Sequence, residues 1–93
     1  MEADNLHYIA TQARNKKVEA IFASELDSIE RAAEAGNFSI ILNNNNFTDA
    51  FIHYLIAHNF YVKYYRSDKD EWFDCYESTT IIWNLCSKLY IKW

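Results

Sequence analysis

The feature that most constrains this chain is a stretch of residues, 4–35, that contains neither glycine nor proline. Alanine, glutamate, lysine, arginine and leucine dominate it, and all of them favour helix. Its apolar residues recur at intervals of three or four, as on one face of a helix: Val18, Phe22, Leu26, Ile29 and Ala33. The sequence therefore predicts one long amphipathic helix, ended by Gly36, the only glycine of the chain, as a left-handed C′ residue.

This helix is too long for a compact fold of the chain. At about 1.5 Å per residue it would extend about 48 Å, whereas a compact domain of this size is about 30 Å across. Residues 11–17, TQARNKK, are its least apolar part and predict where the helix leaves the globule. We expect residues 1–15 to form an overhanging arm, whose weaker apolar stripe includes Leu6, Ile9 and Ala13.

Four consecutive asparagines, residues 43–46, separate a strand pattern from a second helix pattern. Residues 37–42, NFSIIL, are β-branched and apolar on both faces, which predicts a buried central strand. The helical spacing that begins at Phe47 predicts a helix with Asn46 as its N-cap and Asn59 as its left-handed C′ residue. Four residues are too few for a domain linker, so we interpret the run as a joint within one domain.

The C-terminal third predicts strands. Residues 60–65 alternate like a half-exposed strand, and a polar turn follows them. Residues 71–77 and 79–83 form either two short strands or one long strand with an irregularity near Ser78. The tail, residues 84–93, alternates polar and apolar side chains, which predicts an edge strand or a docked arm.

An α+β fold accounts for this order of elements, with two helices packed on one face of a small mixed sheet. Strands 38–42 and 60–65 are either parallel neighbours joined by a right-handed crossover or antiparallel with another strand between them. We expect a single domain of residues 1–93, in which the arm and the tail flank a compact core of residues 16–83.

Composition and charge restrict the partners that we expect. The net charge is −4, and the nine lysine and arginine residues are scattered along the chain apart from Arg14, Lys16 and Lys17, which disfavours nucleic-acid binding. No apolar run reaches the roughly 18 residues that a membrane-spanning helix needs, so no membrane partner is predicted. The N-terminus has neither the basic nor the apolar region of a signal peptide, which favours a soluble protein of the cytosol.

No catalytic, cofactor-binding or metal site is predicted. No histidine stands in a metal-ligand spacing, and Cys75 and Cys86 are interpreted as free thiols. A single glycine excludes the glycine-rich phosphate loops, and the acidic residues between 68 and 77 lack the central glycine of an EF-hand. We therefore expect a protein that is not an enzyme and requires no cofactor.

The aromatic residues are the best candidates for a functional surface. Strand alternation places some of Tyr61, Tyr65, Trp72, Tyr76 and Trp83 on the sheet face away from the helices. Exposed Tyr and Trp are typical of interfaces, but rings that only cover the back of the sheet would give the same pattern. A third interpretation, an RNA-stacking sheet of the RRM type, normally requires positive charge that this chain lacks.

Three segments, at residues 29–40, 51–65 and 79–83, together resemble small proteins of tailed bacteriophages. IERAAEAGNFSI, residues 29–40, matches a helix ending in A-x-x-G-x-[FY]-S-[IV], and TTIIW, residues 79–83, approximates a closing T-x-I-x-W strand. FIHYLIAHNFYVKYY, residues 51–65, matches a helix with L-x-x-x-G-[YF]-x-V, with Asn59 in place of the family's glycine. The resemblance implies a viral origin and a virion component or accessory factor.

From these patterns, together with the viral origin that the resemblance implies, we expect a non-enzymatic bacteriophage protein that assembles with itself or with other virion proteins, in the host cytoplasm or in the virion. The alternative is an accessory binder that inhibits a host defence or metabolic protein or sequesters a small molecule. The predicted interface combines residues of the arm, the sheet and the tail: Leu6, Ile9, Ala13, Tyr61, Tyr65, Trp72, Tyr90, Ile91 and Trp93.

Overall fold

The computed structural model describes residues 2–43, 46–76, 79 and 81–93. In chain order, the elements within these residues are α1 (Ala3–Ile21), α2 (Ala23–Glu34), β1 (Ser39–Asn43), α3 (Asp49–Ala57), β2 (Tyr61–Arg66), β3 (Glu71–Asp74) and β4 (Cys86–Lys92). The predicted α+β class with a long N-terminal helix is confirmed.

The predicted continuous helix is wrong in one respect, because it bends at Phe22. Backbone angles of φ −107° and ψ 26° at this residue separate α1 from α2. The Phe22 amide donates a hydrogen bond to the Val18 carbonyl, and the Leu26 amide donates to the Phe22 carbonyl, so the two helices stay joined across the bend. The bend places the Phe22 ring 4.4 Å from that of Phe51, centroid to centroid, while α2 packs on β1.

Both predicted left-handed helix ends are confirmed. Gly36 has φ +89°, and its amide donates to the Ala33 carbonyl, as in a Schellman motif that closes α2. Asn59 has φ +68°, and its amide donates to the Ile56 carbonyl, which closes α3 in the same way. Asparagine takes the place of glycine there because its short polar side chain tolerates this conformation.

The prediction of Asn46 as an N-cap is wrong. The helix begins at Asp49, and its N-cap is Thr48, whose side chain makes no capping hydrogen bond. Asn46 instead has φ +60° and turns the chain toward α3. The Asp49 carboxylate accepts a hydrogen bond of 3.0 Å from the indole nitrogen of Trp83, so it ties the start of α3 to the segment before β4. Residues 44 and 45 lie outside the described residues.

The four strands form one sheet in the order β1-β4-β2-β3, and each neighbouring pair is antiparallel. The sheet is therefore antiparallel rather than mixed. Because β4 lies between β1 and β2, these two strands run in the same direction without touching, an arrangement that differs from both alternatives predicted. The C-terminal strand is an inner strand and not an edge, and β1 is an edge strand and not a central one.

The predicted strand over residues 79–83 is not found in the part of it that the structure describes. Ile81 is buried, Ile82 is exposed, and Trp83 begins a turn that leads into β4. The Leu85 amide donates to the Ile82 carbonyl and the Cys86 amide to the Trp83 carbonyl, which makes this turn compact. Residues 77, 78 and 80 are not described, so the predicted irregularity near Ser78 lies outside the description.

One hydrophobic core joins all three helices to the sheet. Leu89 and Ile91 of β4 and Val62 of β2 point into it, and α2 and α3 cover that face of the sheet. Its buried members are Val18, Phe22, Ile29, Phe47, Phe51, Ile52, Leu55, Val62, Cys75, Ile81, Cys86, Leu89 and Ile91. The opposite face of the sheet, which we call the outer face, contacts none of the described helices.

Candidate functional site

Strand alternation and pairing determine which side chains occupy the outer face. Residues paired in register share one face of a sheet, and every second residue of a strand points to it. Tyr90 pairs with Ile41 on one side and with Lys63 on the other. The same rule assigns the whole face: Ser39, Ile41, Asn43, Tyr61, Lys63, Tyr65, Trp72, Asp74, Lys88, Tyr90 and Lys92.

The outer face is concave and apolar at its centre. Six of its side chains line a depression of about 400 Å³: Ile41, Tyr61, Lys63, Trp72, Tyr90 and Lys92. Ile41 is 55% exposed and Trp72 is 38% exposed, and because both line the same depression they form a contiguous apolar patch rather than isolated exposed residues. All four strands contribute to this one surface, since β1 supplies Ile41 and β3 supplies Trp72.

The rings of the outer face hold one another in place. Trp72 lies 5.3 Å from Tyr65 and 6.4 Å from Tyr90, centroid to centroid, and meets Tyr90 edge-on. The Tyr61 hydroxyl donates a hydrogen bond of 2.5 Å to Asp74 Oδ1. This hydrogen bond to the carboxylate is the main reason why the pKa of Tyr61 rises to about 12. The aromatic surface is therefore preorganised.

Folding also concentrates positive charge on the outer face. Lys63, Lys88 and Lys92 lie there with Asp74 as the one acid, although the whole chain carries a net charge of −4. The Lys63 ammonium lies 5.8 Å from the centre of the Tyr61 ring, and that of Lys88 lies 5.6 Å from the centre of the Tyr65 ring. The expectation that the basic residues are scattered holds along the sequence, but the sheet brings three of them together.

The predicted arm residues lie away from this surface. Leu6, Ile9 and Ala13 are all exposed on α1, which contacts α2 and α3 and no strand of the described sheet. Within α1, Val18 is the only buried residue, so most of the helix is exposed to solvent. The structure therefore presents two separate surfaces, the arm and the outer face, rather than one combined interface.

The predicted tail residues divide between the two faces of β4. Tyr90 lies on the outer face, whereas Ile91 is completely buried in the core, so its prediction as an interface residue is wrong. Trp93 is half-buried, with its ring 6.4 Å from that of Phe60. It lines an apolar groove of about 400 Å³ on the helix side, together with Leu26, Ile29, Glu30, Ala33, Tyr54, His58 and Phe60.

The two cysteines of the chain are buried. Cys75 and Cys86 form no disulfide, which agrees with their interpretation as thiols, and burial raises the pKa of both, that of Cys75 to about 12. Both are therefore protonated thiols at neutral pH. Among the described residues, no three side chains of His, Cys, Asp or Glu converge into a metal-binding group.

Comparison with known proteins finds no matching family model, no matching curated protein and no matching solved structure. None of the helices that the structure describes combines the length and hydrophobicity needed to cross a bilayer. The molecule is a small α+β protein whose antiparallel sheet is covered by helices on one face and exposes aromatic rings and lysines on the other.

Proposed function

We propose that the protein is not an enzyme and acts by protein–protein assembly, with the outer face of its sheet as the docking surface. The partner is a protein that presents acidic side chains around an apolar centre. The observation that supports this proposal is the outer face itself, where preorganised rings, Lys63 and Lys92 line a depression that none of the described helices covers, with Lys88 on the same face.

Aromatic residues suit this role because they give a large contact area for a small loss of conformational entropy. Trp72 and Tyr90 are already held edge-on to each other, so binding need not immobilise them. Ile41 extends the apolar area to the β1 side of the sheet. This arrangement resembles the centre of an interface, in which a few rigid anchors supply most of the affinity.

Charge complementarity defines the chemistry of the partner. Lys88 and Lys92 lie beside the rings, and carboxylates of a partner would pair with them as part of a polar rim. The Lys63 ammonium already lies 3.9 Å from Asp74 Oδ1, so it is partly neutralised within the chain. Charged rims mainly steer association and exclude wrong partners, so salt is expected to slow the binding. The acidic remainder of the protein would repel a second acidic surface anywhere else, which favours one orientation of docking.

A protein fits this surface better than a single-stranded nucleic acid. Base stacking needs free ring faces, whereas the Trp72 ring is flanked by Tyr65 and Tyr90, and cations lie over the rings of Tyr61 and Tyr65. Asp74 adds a carboxylate in the same row as Lys63 and Tyr90.

The resemblance to bacteriophage proteins supplies the proposed setting, in which the protein is a minor virion component. The exposed arm with Leu6, Ile9 and Ala13 is proposed as a second contact, ordered against another subunit of the particle. A host protein bound at the same face would instead make the protein an accessory inhibitor. Fractionation of particles from infected cells separates these two roles.

The experiment compares the wild type with two charge-reversed variants in affinity purification from the cells that naturally produce the protein. One variant, Lys88→Glu with Lys92→Glu, reverses charge on the outer face. Its matched control, Lys16→Glu with Lys17→Glu, makes the same charge change on exposed positions of α1. The proposal expects a protein at fixed stoichiometry that the first variant loses and the second retains.

Three results would contradict the proposal. Equal recovery of the partner with both variants would place the interface elsewhere, and loss with the α1 variant alone would assign it to the arm. Tight, salt-sensitive binding of a fluorescent oligo-dT strand, abolished by the outer-face variant, would replace the protein partner with a single-stranded nucleic acid. A circular dichroism spectrum of each variant verifies that the fold is unchanged.

A further inference from the structure

We infer that β1 pairs with β1 of a second copy, edge to edge and antiparallel, to form a dimer with a continuous eight-stranded sheet. This interface goes beyond the proposed function, because it uses the backbone of the open edge of the sheet and its partner is the same chain. The side chain of Ile41, which also lines the outer-face depression, contributes to both surfaces. Within the described residues, β1 contacts β4 and α2 and no other element.

The backbone of β1 offers free hydrogen-bonding groups at its open edge. The Trp93 amide donates to the Phe38 carbonyl, so the backbone groups of Phe38 point toward β4. Along an antiparallel strand the direction of these groups alternates, so those of Ile40 and Leu42 also face β4. The amides and carbonyls of Ser39, Ile41 and Asn43 therefore point outward, away from the sheet.

These outward groups match a copy of themselves. If Ile41 faces Ile41 of the partner copy across a two-fold axis, then Ser39 faces Asn43 of that copy, and Asn43 faces Ser39. All three are the hydrogen-bonded type of antiparallel pair, which gives about six hydrogen bonds between the copies. The register needs no bulge and no shift, and a two-fold axis closes the assembly at two subunits.

The side chains are compatible with the same register. Ile41, 55% exposed in the single chain, would pack on the equivalent isoleucine across the axis on the outer face. On the helix side, Ile40 and Leu42, both half-buried, would pack on Leu42 and Ile40 of the partner copy. The exposed apolar groups of β1 thus become covered in symmetric pairs.

Charge distinguishes β1 from the other edge of the sheet. Natural edge strands are protected from pairing by charged residues, proline or bulges. β3 is such a strand, since it has Glu71 and Asp74, and two copies paired there would bring carboxylates together. β1, with the sequence SIILN, has no charge and no proline, and Phe38 just before it is 73% exposed. Only β1 is left open to a second copy.

The first test measures mass by sedimentation over a concentration series. The wild type is expected to convert from monomer to dimer as concentration rises. Ile41→Lys places two ammonium groups opposite each other on the axis and is expected to weaken the dimer at least about tenfold. Ile82→Lys is the matched control, because Ile82 is 61% exposed and does not belong to β1, and it should dimerise like the wild type.

The second test fixes the register by oxidative crosslinking and does not depend on the lysine variant. In Ile41→Cys the two sulfur-bearing residues face each other with Cα atoms about 5.5 Å apart, within the range of a disulfide. In Ser39→Cys, on the same face of the same strand, they lie about 14 Å apart. The first variant should form a covalent dimer and the second should not, while the buried Cys75 and Cys86 stay reduced.

A wild type that stays monomeric at every concentration would overturn the inference. So would an Ile41→Lys variant that dimerises like the wild type, or equal crosslinking of the two cysteine variants. The outer-face variant Lys88→Glu with Lys92→Glu should still dimerise, since neither lysine contributes to the β1 edge. Failure of the dimer and failure of the proposed function are therefore distinguishable.

Discussion

The position of β4 in the middle of the sheet predicts a large loss of stability for Leu89→Ala. Leu89 is completely buried between its neighbours in β1 and β2, Leu42 and Tyr64. Truncation of a buried leucine costs 2–5 kcal/mol, and a site enclosed by strands on both sides collapses poorly, so we expect about 3 kcal/mol. The whole free energy of unfolding of a domain this small is about 5–14 kcal/mol.

Urea denaturation, followed by circular dichroism and tryptophan fluorescence, measures this loss as a lower midpoint with an unchanged slope. Ile82→Ala is the matched control, because Ile82 is an exposed side chain of the segment before β4, and it should cost less than about 0.5 kcal/mol. A loss of less than about 1 kcal/mol in the free energy of unfolding for Leu89→Ala would refute the inner-strand position of β4 and would support a loosely docked C-terminal arm instead.

Three further predictions concern single residues. Because Asn46 has a left-handed backbone conformation and is not an N-cap, Asn46→Ser should lower the free energy of unfolding by about 1 kcal/mol, whereas Asn46→Gly should not lower it. A serine variant as stable as the wild type would instead support the interpretation of Asn46 as an N-cap. Asn59→Ala should lower the melting temperature by about 4–8 °C, whereas Asn59→Gly should preserve it. An unchanged melting temperature for the alanine variant would contradict the left-handed conformation of Asn59 at the end of α3. The Tyr61 pKa of about 12, against about 10 unfolded, means that the folded state keeps this proton longer, so stability should fall as pH rises from 10 to 12. Tyr61→Phe should remove this component of the alkaline destabilisation, measured by urea midpoints, and an unchanged pH profile would refute the hydrogen bond to Asp74.

Local signals of the sequence predict local structure well here. Gly36 and Asn59 are correctly predicted as left-handed helix ends, because the conformation they adopt depends on their own side chains. The bend at Phe22 escapes prediction, since the apolar spacing continues through it. At the bend the Phe22 ring stacks on that of Phe51, which lies 29 positions later in the chain, and a contact between such distant residues is not visible in the local pattern.

Strand order escapes prediction for a related reason. The alternation of β4 is the same for an edge strand and for an inner strand with one solvent-exposed face, and Lys88 and Lys92 make it resemble an edge. The apolar run of β1 likewise resembles a central strand, although Ile41 is exposed. Position in the sheet is decided by pairing between distant segments, which neither pattern records.

The candidate site could be predicted in part. Alternation was sufficient to place Tyr61, Tyr65 and Trp72 among the interface candidates, Tyr90 was a candidate as part of the tail, and all four lie on the outer face. The lysines of that face were missed, because their sequence positions are scattered and only the sheet brings them together. The alternation Lys88-Tyr90-Lys92 was the one signal in the sequence that relates these charges to the rings.

The central claim, that the outer face is the docking surface, is tested most directly by oxidative footprinting of the protein, free and in its isolated complex. The account predicts that oxidation of Trp72 and Tyr90 falls in the complex, because a partner covers the depression that they line. Tyr8, an exposed ring on α1, reports on the arm. Unchanged oxidation of Trp72, with or without protection of Tyr8, would contradict the claim.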